Sequence, residues 1–163
     1  MQAEPIRVLF ICQGNICRSP LAEAVFRARV RAAGLEARFE IDSAGTSDYH
    51  EGERADPRSA AVARSRGIEL TSRSRPVTES DVRRFDYLIV MDGSNLRDVR
   101  RVAARVRPDA PLYRLREFDP SADGDLDVPD PYYGGPAGFE RVQEIVERAC
   151  EGLLAHIRES RRL

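Results

Sequence analysis

The chain has no lysine and no tryptophan; all 26 of its basic residues are arginine, and only two histidines and three cysteines occur in its 163 residues. Two histidines, His50 and His156, are too few for a histidine-rich metal site, and no motif supports a Ser-His-Asp triad; both read as plain surface or core residues. An odd cysteine count, with Cys12 and Cys17 close together, argues against a disulfide scaffold and for thiols in a reducing compartment, so the expectation is cytoplasmic. No apolar run is long enough to span a membrane, and Met1 to Arg7 leads straight into Val8-Leu9-Phe10-Ile11, too short for a signal peptide. A net charge of only −1 gives no electrostatic case for bulk nucleic-acid or membrane binding, and the arginines from Arg97 to Arg107 read as a solvated helix face. The acidic run from Asp119 to Asp130 lacks EF-hand spacing.

With 42% hydrophobic and 33% charged residues and no repeat or linker, a single domain over residues 1–163 with its own core is expected. Apolar runs at Ile6 to Ile11, Phe39 to Ile41, Tyr87 to Met91 and Ala110 to Leu115 predict four strands, the first and third buried on both faces. Helical patterns lie between and after them, at Leu21 to Ala33, Pro57 to Arg66, Leu96 to Val106 and Gly138 to Ile157. Strands alternating with helices predict an α/β, doubly wound (Rossmann-like) fold: a four-stranded parallel sheet with helices on both faces, its ligands beyond the carboxyl ends of the strands. The longest irregular stretch, Glu117 to Gly135, is of a length usually reserved for function.

Directly after the first predicted strand comes Cys12-Gln13-Gly14-Asn15-Ile16-Cys17-Arg18-Ser19-Pro20, then a helix. Gly14 is expected to turn the backbone with positive φ, and the helix start near Pro20 to aim N–H groups at an anion. Arg18 offers a planar fork for two phosphate oxygens. Cys12 in the same ring is expected to be a nucleophile, its pKa drawn down from about 8.5. Ser19 can donate to the departing sulfur; its plain alternative is a helix N-cap. An acid is then needed for the leaving group. On residues alone Asp130, between Pro129 and Pro131, is one of five aspartates from Asp119 to Asp130. Tyr132 and Tyr133 follow it and can form aromatic walls for a flat ring.

Cys, five residues, Arg, Ser at the end of a first strand resembles the signature of the low-molecular-weight protein tyrosine phosphatases. The segments Asp42-Ser43-Ala44-Gly45-Thr46, Asp56-Pro57-Arg58, Met91-Asp92-Gly93-Ser94-Asn95-Leu96 and Val128-Pro129-Asp130-Pro131-Tyr132-Tyr133-Gly134-Gly135 resemble family segments in the family's order. The resemblance implies hydrolysis of phosphotyrosine proteins through a phosphocysteine on Cys12, with Arg18 binding phosphate, Asp130 as general acid and base, and no metal or other cofactor. It further implies that Gln13, Gly14, Asn15, Ile16, Cys17 and Ser19 bind the substrate, that Tyr49, Tyr132 and Tyr133 wall the slot, and that Asn15 and Ser43 brace the loop by hydrogen bonds to its backbone. Ser72 stands where relatives often carry a histidine supporting that loop, and its hydroxyl is expected to take over; Gln13 stands where a leucine is frequent in animal relatives. The related protein-arginine phosphatases tend to carry threonine at position 16, so Ile16 favours a phenyl ring. Cys17 can trap an oxidised Cys12 as a reversible disulfide, or be simply a small buried residue. A thioredoxin-coupled arsenate reductase would need a further relay cysteine, and Cys150 reads as helix packing. A phosphocarrier would have no use for Asp130. The sequence specifies no oligomeric state.

Overall fold

A computed structural model describes residues 4–132 and 135–163. In chain order it contains β1 (Ile6–Cys12), α1 (Arg18–Ala32), β2 (Phe39–Gly45), α2 (Pro57–Ser65), α3 (Glu79–Arg84), β3 (Tyr87–Val90), α4 (Gly93–Val106), β4 (Leu112–Arg114) and α5 (Pro136–Arg161), with short 3-10 turns at Glu36–Arg38 and Leu115–Phe118. The four strands form one parallel sheet in the order β2-β1-β3-β4. The chain therefore winds one way from β1 to β2 and the other way from β3 to β4. The boundary between β1 and β3 is the switch point, where a doubly wound sheet opens a crevice.

Alternation along the strands sorts the core into two layers. Val8, Phe10 and Cys12 of β1, with Tyr87 and Ile89 of β3, pack with α1 and α5. Leu9 and Ile11, with Leu88 and Val90, pack with Val82 of α3 and with Val99 and Ala103 of α4. Both central strands are buried on both faces, as parallel strands under crossover helices must be. Phe10 and Phe26 meet edge to face at 5.5 Å between ring centres and anchor α1 to the sheet. Among the described residues no helix is long and apolar enough to cross a membrane.

Three boundaries differ from those read in the sequence. Helix α1 begins at Arg18, so Ser19 lies inside its first turn and is not its N-cap; that position belongs to Cys17, which makes no side-chain cap bond. Helix α4 begins at Gly93, three residues early, because Asp92 Oδ1 accepts from Asn95 N–H at 2.8 Å and fixes the first turn. Helix α3 was not expected; a capping box between Thr78 and Asp81 starts it.

Two features position the irregular stretch after β4. Gly152 of α5 lies so close to the 3-10 turn that a Cβ there would sit 1.9 Å from the Phe118 carbonyl oxygen. Farther along, Val128 is fully buried and its N–H donates to the Met91 carbonyl at 2.7 Å, which ties this stretch to the end of β3.

Candidate active site

The loop between β1 and α1 is held from outside by its carbonyls. Those of Cys12 and Gln13 accept from the N–H groups of Thr46 (2.9 Å) and Ser47 (3.0 Å), and that of Ile16 accepts from Asp56 N–H at 2.7 Å. Gly14 O accepts from Ser74 Oγ at 2.9 Å and Cys17 O from Ser59 Oγ at 3.3 Å. With the carbonyls turned outward, the peptide N–H groups are left to the concave side, where Asn15 N–H already lies 3.3 Å from Cys12 Sγ. A ring of inward N–H groups leading into a helix N-terminus suits an anion. The left-handed residue in this turn is Asn15, at φ 56°, and not Gly14 as expected, since asparagine tolerates that region when its side chain bonds locally. Space at Gly14 is tight for a different reason: a Cβ there would lie 3.0 Å from His50 Cδ2, so that ring would have to give way.

Asn15 is the hub of the bracing network. Its Oδ1 accepts from Arg75 N–H at 3.0 Å, and its Nδ2 donates to Ser19 Oγ at 2.8 Å and Ser43 Oγ at 3.0 Å. Ser19 Oγ lies 3.0 Å from Cys12 Sγ. Asn15 and Ser43 thus meet through their side chains, not through bonds to the backbone of the loop. Ser72 does not join this network. It lines a separate surface cavity with Pro20 and Glu23, and the hydroxyl that reaches the loop is that of Ser74, two residues on.

Arg18 is buried, and its Nη1 donates to Asp92 Oδ2 at 2.7 Å and to the Val128 carbonyl at 2.9 Å. Its Nη2 lies 3.7 Å from Asp130 Oδ2. Burial opposes its charge, but Cys12, Asp92 and Asp130 together hold the guanidinium above its ordinary value, so it stays a cation. Asp130 itself is half-exposed, and its Oδ1 accepts from Tyr132 N–H at 3.0 Å, a local turn that directs the carboxylate. Burial, with the neighbouring charges of Asp56, Cys12 and Asp130, pushes the Cys17 thiol up to about 12, so it is a thiol at neutral pH.

Cys12, Arg18 and Asp130 line one cavity of about 410 Å³ together with Gln13, Gly14 and Ile16 of the loop and with Tyr49, His50 and Tyr132. Tyr49 stands at the rim, 83% exposed, with its ring edge-on to His50 at 4.7 Å. His50 sits deeper, its Nδ1 2.7 Å from Glu53 Oε2 and its ring 6.0 Å from that of Tyr132. Tyr132 is backed by the Arg58 guanidinium, 5.4 Å above its ring centre, which Asp56 fixes in turn. Tyr133, an expected wall, lies outside the described residues. His50, read from the sequence as a plain surface or core residue, lines the cavity; Asp92 and Ser74 were not singled out as site residues, and only Asp92 had a readable signal, the aspartate before a helical pattern at the end of β3.

Residues 7–163 match the family model for low molecular weight phosphotyrosine protein phosphatase. The chain is 54% identical over 154 residues to a low molecular weight protein-tyrosine-phosphatase of Streptomyces coelicolor, covering 94% of each. Among solved structures it is similar to a protein tyrosine phosphatase from Entamoeba histolytica, with 41% identity, a TM-score of 0.90, and 96% of this chain and 99% of that one covered. It is also similar to a drosophila arginine phosphatase, with 30% identity, a TM-score of 0.87, and 93% and 98% covered.

Proposed function

The chain belongs to the low molecular weight phosphotyrosine protein phosphatase family, and from that membership we propose that it hydrolyses phosphotyrosine through a phosphocysteine intermediate on Cys12. The observation that carries this reading is the convergence of Cys12, Arg18 and Asp130 on one cavity lined by the loop.

The phosphate dianion rests on the loop's N–H groups. Because Arg18 Nη1 is engaged by Asp92 and Val128, the Nε and Nη2 edge is the one that takes two equatorial phosphate oxygens. The Cys12 thiolate attacks phosphorus opposite the ester oxygen; the P–O bond breaks, and Asp130 gives its proton to the leaving phenolate. Asp130, now a carboxylate, takes a proton from water as that water attacks phosphorus. The S–P bond then breaks, the electron pair returns to sulfur, and the Ser19 hydroxyl 3.0 Å away stabilises the thiolate released. Cys17 is unsuited to replace Cys12, because its thiol keeps its proton at neutral pH.

Substrate choice follows from the walls. Ile16 is buried against Cys17 and Phe139, with Tyr132 packed beside them, so the slot over the phosphate is apolar and aromatic, suited to a phenyl ring more than to a guanidinium. The partner is then a phosphotyrosine protein, and the chain acts as one cytoplasmic domain over residues 1–163.

The test is turnover of phosphotyrosine, phosphoserine and phosphoarginine peptides in EDTA, with Cys12→Ser as control. Phosphotyrosine is expected to be favoured and Cys12→Ser to be inactive. Preference for phosphoarginine would reassign the substrate, and activity surviving Cys12→Ser would overturn the mechanism.

A further inference from the structure

Behind the loop, on the second turn of α1, Glu23 is 7% exposed and has no place in the chemistry above. Its Oε2 accepts from Arg27 Nε at 3.2 Å and Nη2 at 3.0 Å, and its Oε1 accepts from Ser43 Oγ at 2.6 Å. From Ser43 an unbroken chain of hydrogen bonds leads through Asn15 and Ser19 to Cys12.

Counting donors gives this chain a direction. A carboxylate only accepts, so the single Ser43 proton goes to Glu23, at a distance typical of a charge-assisted bond. Ser43 Oγ must therefore accept from Asn15 Nδ2, and Arg75 N–H on Oδ1 fixes that amide in the same sense. Asn15 spends its second N–H on Ser19 Oγ, which leaves the Ser19 proton for Cys12 Sγ at 3.0 Å, the alternative acceptor Ala44 O being more distant at 3.4 Å. A sulfur that receives a proton donor is favoured as thiolate.

We propose that Glu23 is a positioning residue: by taking the Ser43 proton it makes Ser43 an acceptor for Asn15, and with Arg75 N–H on Asn15 Oδ1 it holds the chain that presents the Ser19 hydroxyl as a donor to the nucleophilic sulfur. The proposal rests on Cys12 being the nucleophile, and adds a control point on the opposite side of the loop from the substrate. Other charges face the two ends. Cys12 is faced by Arg18, with Asp92 and Asp130 beyond it, by the Cys17 thiol and by His50 across the cavity. Glu23 is faced by Arg27, with Arg31 and Glu69 lining the cavity beside it.

Glu23→Gln separates direction from charge. Arg27 claims the single amide oxygen, so the NH2 group meets Ser43 and reverses the first link. If orientation governs, the pH profile of Cys12 alkylation by iodoacetamide, read on Cys12 by tandem mass spectrometry, moves up by about half to one pH unit, on the scale at which hydrogen bonds to a charged form act. If through-space charge governs, loss of the negative charge moves it down. Cys17 stays silent near neutrality because of its raised titration. Ser43→Ala is expected to give a similar upward shift, and the double variant no more than the larger single one. An unmoved or lowered profile in Glu23→Gln, or full additivity with Ser43→Ala, overturns the proposal. Because alkylation is read without substrate, a wild-type protein that failed to cleave phosphotyrosine would refute the phosphatase mechanism and leave this result standing.

Discussion

Asp92 holds Arg18 across the crevice between β1 and β3: its Oδ2 accepts from Arg18 Nη1 at 2.7 Å, while its Oδ1 caps the first turn of α4. One carboxylate thus fixes the guanidinium proposed to bind phosphate and starts the helix that follows the neighbouring strand. Asp92→Ala is expected to lower kcat by about 10²-fold through misplacement of Arg18, and to reduce stability by about 1 kcal/mol through loss of the cap. Asp92→Asn can keep the cap and is expected to lose activity with little change in Tm. Steady-state kinetics and thermal unfolding of both variants check this.

If Asp130 gives the proton to the leaving oxygen, its removal should hurt most where that oxygen is most basic. Asp130→Asn keeps an acceptor for the Tyr132 N–H. It should lower kcat on phosphotyrosine by about 10²-fold or more and lower turnover of an ester with a weakly basic phenol far less. Equal losses on both esters would remove Asp130 from that role.

The Cys17 thiol, pushed up to about 12 by burial and the neighbouring negative charges, makes any capture of an oxidised Cys12 dependent on pH. After peroxide treatment, recovery with dithiothreitol should require Cys17 and be lost in Cys17→Ser. Formation of the disulfide should quicken as pH rises from 6 to about 9, because the thiolate fraction grows about tenfold per unit below the titration point. A rate flat across that range would show that Cys17 does not attack as its thiolate.

Asp119 carries the acid stability of the segment before Asp130. Burial alone would raise its pKa, yet hydrogen bonds from Arg148, from Ser121 N–H and from Arg116 hold the carboxyl below the usual range. A depressed folded value means that this stabilisation is present above the unfolded value of about 3.9 and is lost as pH falls through the folded one. Asp119→Asn should cost about 3 kcal/mol at pH 7. In urea unfolding, the gap between variant and wild type should narrow below about pH 4.

What could be read in the residues follows the reach of local rules. The apolar run from Ile6 to Ile11 and the helical pattern in Gly138 to Ile157 are strong enough to give the buried strand and the long helix, and the loop's anion chemistry was read from Cys12, Gly14 and Arg18. The start of α4 was hidden because Gly93, Ser94 and Asn95 are weak helix formers, and α3 is too short to show a period. Ser74 was missed for Ser72 because the segment between α2 and α3 is irregular, so no periodicity tells which hydroxyl faces the loop. The Arg18 to Asp92 pair spans 74 residues and exists only once β3 lies beside β1.

Gly152 has a consequence for the placement of Asp130, the proposed acid. From Phe118, lodged against Gly152, the chain runs back beside α5 through Asp119 on Arg148 to Pro131, whose Cβ would lie 3.8 Å from a Cβ on Gly138. The helix between those two glycines is about 21 Å long by its rise per residue. It therefore serves as a ruler that indexes Asp130 against Cys12. One residue inserted or deleted between Gly138 and Gly152 would change the ruler by about 1.5 Å and turn one end by about 100°, so substitutions should be accepted at the exposed positions of this helix, and changes of its length hardly at all.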